Sequence, residues 1–298
     1  MEKNSLEITE QPEGLGFTSL RELVNRTLRQ KFGSKKNPGS VPSGFKALDK
    51  KLGGFKNGQL YTIAVKPGMG KTAFLLSVAN NMAIKDDYSV AIFSSERSNI
   101  KITNRLIESE TGMSLDKLQS GAFKDSEKDH VLSILSNIAK AKILIDDTPA
   151  LSVDALSVKA KELKKMHAVD VIIIDYLELL TTSVVDSGDR PAQLSGILRQ
   201  IQEMARDINL PVLLFTQITG PVNGLMPHPG HSLNALPAFL NKSSDVLMSL
   251  HRNDAGMQPL QAGKSAVELK IYTKDSMNEE TMVPLHFIGS ISKFADFS

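Results

Sequence analysis

The sequence predicts an α/β protein, with a mostly parallel twisted sheet, helices on both faces and antiparallel strands added at the C-terminal end. Three observations carry this. Beyond residue 45, short apolar runs alternate with amphipathic helical segments, the order that builds strand–helix–strand units. Val171-Ile172-Ile173-Ile174 is apolar at every position, as a central strand covered on both faces has to be. The composition also supplies a core, since 41% of the 298 residues are hydrophobic and 23% are charged, close to ordinary globular usage.

Residues 1–16 carry Pro12, Gly14 and Gly16 without an apolar period and read as a mobile segment or one docked on a partner. Ser19 and Glu22 then form a capping-box pair, and Leu20, Leu23, Val24 and Leu28 recur at helical spacing. This predicts one amphipathic helix over about 18–32. The basic, Gly/Pro/Ser-rich stretch GSKKNPGSVPSG at 33–44 follows and reads as a linker. The division is therefore an N-terminal arm over 1–40 and one large domain over 41–298. Whether the arm's apolar stripe packs on its own domain or on a neighbouring subunit stays open.

Within the large domain the strand candidates are 60–65, 89–95, 143–145, 169–174, 211–215, 245–250, 267–272 and 283–288. Helical patterns fall at 71–84, 97–109, 126–140, 152–166 and 191–208. In the last of these Pro191 suits a first turn, and Leu194, Ile197, Leu198, Ile201, Met204, Ala205 and Ile208 share one face.

Composition excludes several functions. With no cysteine there is no disulfide, zinc–thiolate site or cysteine nucleophile. Lys and Arg total 35 against 33 Asp and Glu, a formal charge of +2, well short of a chain that coats nucleic acid, so any such binding has to come from a local patch. Aromatics are 5% and tryptophan is absent, which disfavours a base-stacking platform. The N-terminus MEKNSLEITEQPEG lacks a basic and then apolar leader, and no apolar run reaches the ~20 residues that span a bilayer. A cytoplasmic protein without a membrane partner is the expectation.

The sharpest signal is Val65-Lys66-Pro67-Gly68-Met69-Gly70-Lys71-Thr72. A glycine-rich turn opening a helix cradles phosphates with its N–H groups, its Lys reaches the β/γ oxygens, and its Thr hydroxyl binds Mg²⁺. The strict pattern places glycine where this chain has Val65. Context supports the motif all the same: an apolar strand precedes the loop, and Ala73, Leu75, Leu76, Val78 and Ala79 follow at helical spacing. Asp175, closing the apolar run 171–174, stands where a magnesium-shell acid belongs. Glu96, just past the strand 89–95, lies at the same carboxyl edge of the sheet and can activate water. Gln217, after 212–215, reaches that edge as an amide able to sense a γ-phosphate.

In this order VPSGFKALDKKLGGFKNGQL, IAVKPGMGKTAFLLSVA, VAIFSSER, IDDTPALSVDALSVKAKELKK, VDVIIIDYLELL, VLLFTQI and SDVLMSLHR resemble the C-terminal motor of DnaB-type replicative helicases, a RecA-like P-loop ATPase. The resemblance is nearly continuous over 41–252 and looser beyond. That family's own loop also lacks the first glycine. The resemblance implies ATP and Mg²⁺ as ligands, with nucleotide held by Lys66, Pro67, Gly68, Met69, Gly70, Lys71, Thr72 and Ala73, and magnesium by Thr72 and Asp175. It implies Glu96 as catalytic base, Asp175 as Walker B acid, and Gln217 as the switch between nucleotide and DNA. Arg252 and Lys274 are further nucleotide contacts on the same footing. A hexameric ring on single-stranded DNA is implied as the assembly, with helix 18–32 resembling the linker helix docked on the adjacent subunit. The family's N-terminal helical domain has no counterpart in the sequence.

Two departures stand out. Between 219 and 241, where the family carries a charged DNA-binding loop, there is no Lys or Arg, and losing phosphate-neutralising cations weakens single-strand affinity. That Pro-rich loop reads equally as a protein-contact surface or as a neutral loop. The family's arginine finger falls at Ser276, two residues after Lys274, and no arginine follows Arg252. Such a finger contributes roughly 10³–10⁵ in rate. Two functions therefore compete: an ATP-driven DNA helicase, and a helicase-derived ATP-binding assembly or regulatory protein contacting a replication or mobile-element partner. A small-molecule kinase ranks last, because no Arg-rich lid is present.

Overall fold

The computed structural model describes residues 39–121, 124–182, 190–218, 238–252, 264–273 and 281–297. Its frame is a nine-stranded sheet, β3 Leu60–Val65, β4 Val90–Ser94, β5 Ile143–Asp146, β6 Val171–Asp175, β7 Val212–Gln217, β8 Val246–Arg252, β9 Lys264–Thr273, β10 Thr281–Ile288 and β11 Lys293–Asp296. The spatial order is β11-β10-β9-β8-β3-β7-β6-β4-β5. The six strands from β8 to β5 run parallel. The last three join antiparallel to one another and to β8. All eight strand candidates are strands.

The all-apolar strand shows why this sequence needs two helical layers. Val171 and Ile173 of β6 enter one core, with α2 (Lys71–Asn80) and α3 (Asn99–Thr111). Ile172 and Ile174 enter the opposite core, with α6 (Val153–His167) and α7 (Arg190–Asp207). The helical pattern at 71–84 divides into the α-helix and a π-helical turn at Asn81–Lys85.

Some elements lie below the resolution of sequence periodicity. β1 (Ser40–Val41) pairs antiparallel with β2 (Phe55–Lys56), bracketing α1 (Lys46–Leu52). The stretch read as a linker is thus built into the body from Ser40 onward: Asp49 accepts the N–H of Ser43 at 2.6 Å and of Gly44 at 3.1 Å. A turn of α4 (Leu115–Ser120) precedes α5 (Asp125–Lys140). The end of the loop read at 219–241 is also helical, as α8 (Ala238–Ser243), with Leu240 buried in the second core. Helix 18–32, Lys274, Ser276 and the loop over 219–237 lie outside the described residues.

Candidate nucleotide site

β3 ends at Val65, and α2 begins at Lys71. Val65 is a strand residue, fully buried and paired in parallel with Gln217 and Leu250; its carbonyl accepts the Ile218 N–H at 3.0 Å. The chain turns only afterwards, so a β-branched residue suits the position that the strict motif gives to glycine. Gly68 and Gly70 take left-handed φ values of +78° and +88°, which L side chains rarely adopt. Met69 N–H bonds the Lys66 carbonyl at 3.2 Å, and Phe74 N–H bonds the Gly70 carbonyl at 2.9 Å. The loop therefore leads directly into a helix start whose first N–H groups have no intrahelical acceptor, the arrangement that favours an anion. Thr72 and Ala73 are buried in the first turn of α2, while Pro67 and Gly68 are exposed.

Lys71 joins the candidate residues. Its Nζ lies 2.5 Å from Asp175 Oδ1 and 2.6 Å from Glu96 Oε2, and 3.5 Å from the centroid of the Tyr176 ring. Arg97 adds a second cation, 3.7 Å from Glu96 Oε1. Asp175, 2% exposed, has its carboxyl pushed above the usual range by burial, with Lys71 pulling against that shift. Burial and the neighbouring Glu96, Glu178 and Asp175 likewise push the Tyr176 hydroxyl up.

Glu96 sits on a braced loop rather than a free one. Ser95 Oγ donates to the Thr148 carbonyl at 3.1 Å, Arg97 N–H to Ser94 Oγ at 3.3 Å, and Asn99 N–H to Asp147 Oδ2 at 3.0 Å. The ends of β4 and β5 thus hold the carboxylate over the ammonium.

Gln217 closes β7, which lies between β3, the strand leading into the loop before Lys71, and β6, the strand ending in Asp175. Its backbone N–H lies 3.3 Å from both carboxylate oxygens of Glu178, which also accepts the Thr216 hydroxyl. Glu178, on the 3₁₀ turn Leu177–Leu179, was not singled out from sequence; burial raises its carboxyl above the usual range while the Thr216 hydroxyl opposes this. The available signal was a lone acid inside the apolar run Tyr176-Leu177-Glu178-Leu179-Leu180, one turn after Asp175. Arg252 ends β8 at the carboxyl edge, paired with Val267. A separate cavity of about 500 Å³ beside β5 and α6, lined by Phe93, Asp146, Lys159 and Met166 among others, reaches Asp147 and Thr148, which brace the Glu96 loop, but includes none of the candidate nucleotide residues.

A glycine-rich turn between a parallel strand and a helix, with acids gathered from neighbouring strand ends, defines the fold class as a RecA-like P-loop ATPase. Two solved structures share that fold at TM-score 0.75 and 26% identity: an ATPase domain, covering 94% of this chain and 99% of that one, and a DnaB-like replicative helicase studied for its interactions with primase, covering 95% and 68%. The model of the DnaB-like helicase C terminal domain matches residues 40–296, and the chain belongs to that family. The replicative DNA helicase DnaC of Bacillus subtilis (strain 168) is 27% identical over 299 residues, 99% of this chain and 65% of the relative. The chain thus spans about two thirds of that relative's length. No described helix is long and apolar enough to cross a membrane.

Proposed function

We propose that this chain is an ATP-hydrolysing helicase motor that assembles as a ring, six subunits by analogy with its family, and moves cytoplasmic single-stranded DNA. The observation supporting this reading is the Lys71 ammonium held between Asp175 and Glu96 at 2.5 and 2.6 Å. A triphosphate entering the loop offers Lys71 phosphate oxygens in place of the two carboxylates. Glu96 is then released to take a proton from water as the water attacks the γ-phosphorus and the bond to the ADP oxygen breaks. The oxygen donors Thr72 and Asp175 fit a hard cation and would hold Mg²⁺, which when bound neutralises phosphate charge. Glu178 fixes the backbone of Gln217, whose amide then reports the phosphate state toward Ile218 and the loop beyond. Lys274 and Arg252 complete the proposed nucleotide contacts.

The test is ATP turnover with and without single-stranded DNA, on the native chain and on Lys71→Ala. Turnover stimulated by the strand, and reduced roughly 10²–10³-fold by the substitution, supports the motor, since that is the scale for removing one preorganised electrostatic contact. Nucleotide binding without turnover in either condition sinks it.

A second reading has its own observation, that no arginine follows Arg252 in the sequence; the family resemblance puts the finger position at Ser276. On that reading the chain is an ATP-binding assembly or regulatory protein with weak hydrolysis, contacting a replication or mobile-element protein. Ser276→Arg raises turnover if the register is right; unchanged turnover counts against that placement.

A further inference from the structure

The last strand of the sheet braces the phosphate loop from outside. Among the described residues β11 is a four-residue edge strand paired only with β10, yet three further contacts fix it. Lys293 Nζ meets Glu110 Oε1 of α3 at 2.5 Å, Asp296 Oδ1 accepts the Lys46 N–H of α1 at 2.9 Å, and Phe294 N–H donates to Ser77 Oγ of α2 at 2.9 Å. So held, Phe294 is buried edge-on to Phe74, with centroids 5.3 Å apart, and tilted against Phe287 at 4.9 Å.

The same ring lies against Gly70. A Cβ at that position would stand 3.2 Å from Phe294 Cε2, 3.3 Å from its Cζ and 3.6 Å from Phe287 Cε2. The space that glycine leaves is therefore filled by an aromatic edge some 220 residues later in the chain, roughly the separation of positions 70 and 294. Gly70 holds φ at +88°, only one of the many conformations open to glycine. A wall of fixed side chains on one side narrows that choice.

We infer that Phe294 is a positioning residue for nucleotide phosphate, an inference that rests on the ATP-site reading above. The ring keeps Gly70, and with it the start of α2 and Lys71, in the phosphate-binding shape. Removing the ring opens a void beside a glycine free to relax into it. The loop then holds its competent shape for only a fraction of the time, and apparent affinity falls by that fraction. The Ser77 contact comes from the Phe294 backbone and survives substitution, so the effect belongs to the ring.

The experiment titrates the full chain with N-methylanthraniloyl-ADP and Mg²⁺, well below the unfolding temperature, for the native protein, Phe294→Leu and Phe294→Ala. The control is Val283→Ala, a buried β10 residue in the same core, four positions before Phe287. Phe294→Leu is expected to weaken binding about 10-fold and Phe294→Ala more, while Val283→Ala lowers the melting temperature and leaves affinity unchanged, as a population-shift effect confined to the loop requires. If Phe294→Ala does not fold, Phe294→Leu alone decides. Native-like binding by Phe294→Leu, or an equal loss in Val283→Ala, overturns the inference. Failure of the native chain to bind the nucleotide overturns the ATP-site reading instead.

Discussion

Replacing Lys71 by Met keeps most of the length of the side chain but removes its charge, which leaves Asp175 and Glu96 without the ammonium between them and with Arg97, 3.7 Å from Glu96 Oε1, as the remaining nearby cation. Asp175 is 2% exposed and Lys71 11%, so the discount for a solvated surface pair does not apply between them; Glu96, at 31%, is partly screened. Breaking a buried pair from one side costs about 3–5 kcal/mol, and the open Glu96 side places the expected loss near the lower figure. In a domain of this size about 3 kcal/mol corresponds to roughly 6–12 °C in melting temperature. The loss depends on pH with a definite sign. Burial already holds the Asp175 carboxyl above its usual range against the pull of Lys71, and removing Lys71 raises it further. An acid with a raised folded pKa binds more protons folded than unfolded, so stability falls as pH rises from the unfolded value of about 3.9 to the folded one. The deficit of Lys71→Met therefore grows as pH rises above the unfolded value of about 3.9 toward neutrality, by at most about 1.4 kcal/mol per unit. Thermal melts across that range on the native chain, on Lys71→Met and on Lys71→Met with Asp175→Asn measure it. The added Asn removes the stranded charge and restores most of the loss at high pH. A deficit independent of pH, or one that Asp175→Asn does not relieve, refutes the account.

Glu178→Gln keeps an acceptor for Thr216 while removing a buried carboxyl held above its usual range; the melting temperature should fall less steeply with pH above the unfolded glutamate value of about 4.3 than in the native chain. Melts in matched buffers check this, and parallel curves would contradict it. Gly70→Ala meets both a φ of +88° and the Phe294 ring at 3.2 Å and should cost about 1–3 kcal/mol, read as a lower urea midpoint; native-like stability would show that the loop relaxes freely.

The central parallel strands were legible because they are buried on both faces, so that an apolar run such as 171–174 needs no register to be recognised. Two-residue β1 and β2 and six-residue α4 and α8 escaped, being too short to complete a period. The linker reading ended late for a related reason. Gly, Pro and Ser describe the chain at 33–44 as loop, but the carboxylate that orders Ser43 and Gly44 comes from Asp49, on the next helix. At the site, Lys71, Glu96 and Asp175 were found singly and meet in space. Glu178 escaped because its partners, Thr216 and Gln217, are about forty positions away, and no local pattern marks a carboxylate that binds a backbone.

Strand order explains why those partners matter. β3 and β6, which carry the phosphate loop and Asp175, are not neighbours; β7 lies between them. Lys71 therefore reaches Asp175 across the end of β7, where Thr216 and Gln217 sit. That end is held from both sides: Glu178, on the turn after β6, binds Thr216 and Gln217, and the Val65 carbonyl, where the phosphate loop begins, binds the Ile218 N–H at 3.0 Å. A ligand that draws Lys71 off its carboxylates changes the charge beside a strand end already tied to both the loop and the acid. The two functional readings part at this strand end. A motor needs a nucleotide-dependent shift to pass through Gln217 into the segment beyond residue 218, whereas a regulatory protein needs only a stable nucleotide-bound shape. Glu178→Gln separates them without touching Lys71, Glu96 or Asp175: loosening the Gln217 backbone uncouples single-strand stimulation from basal turnover in a motor, and leaves nucleotide binding as it was.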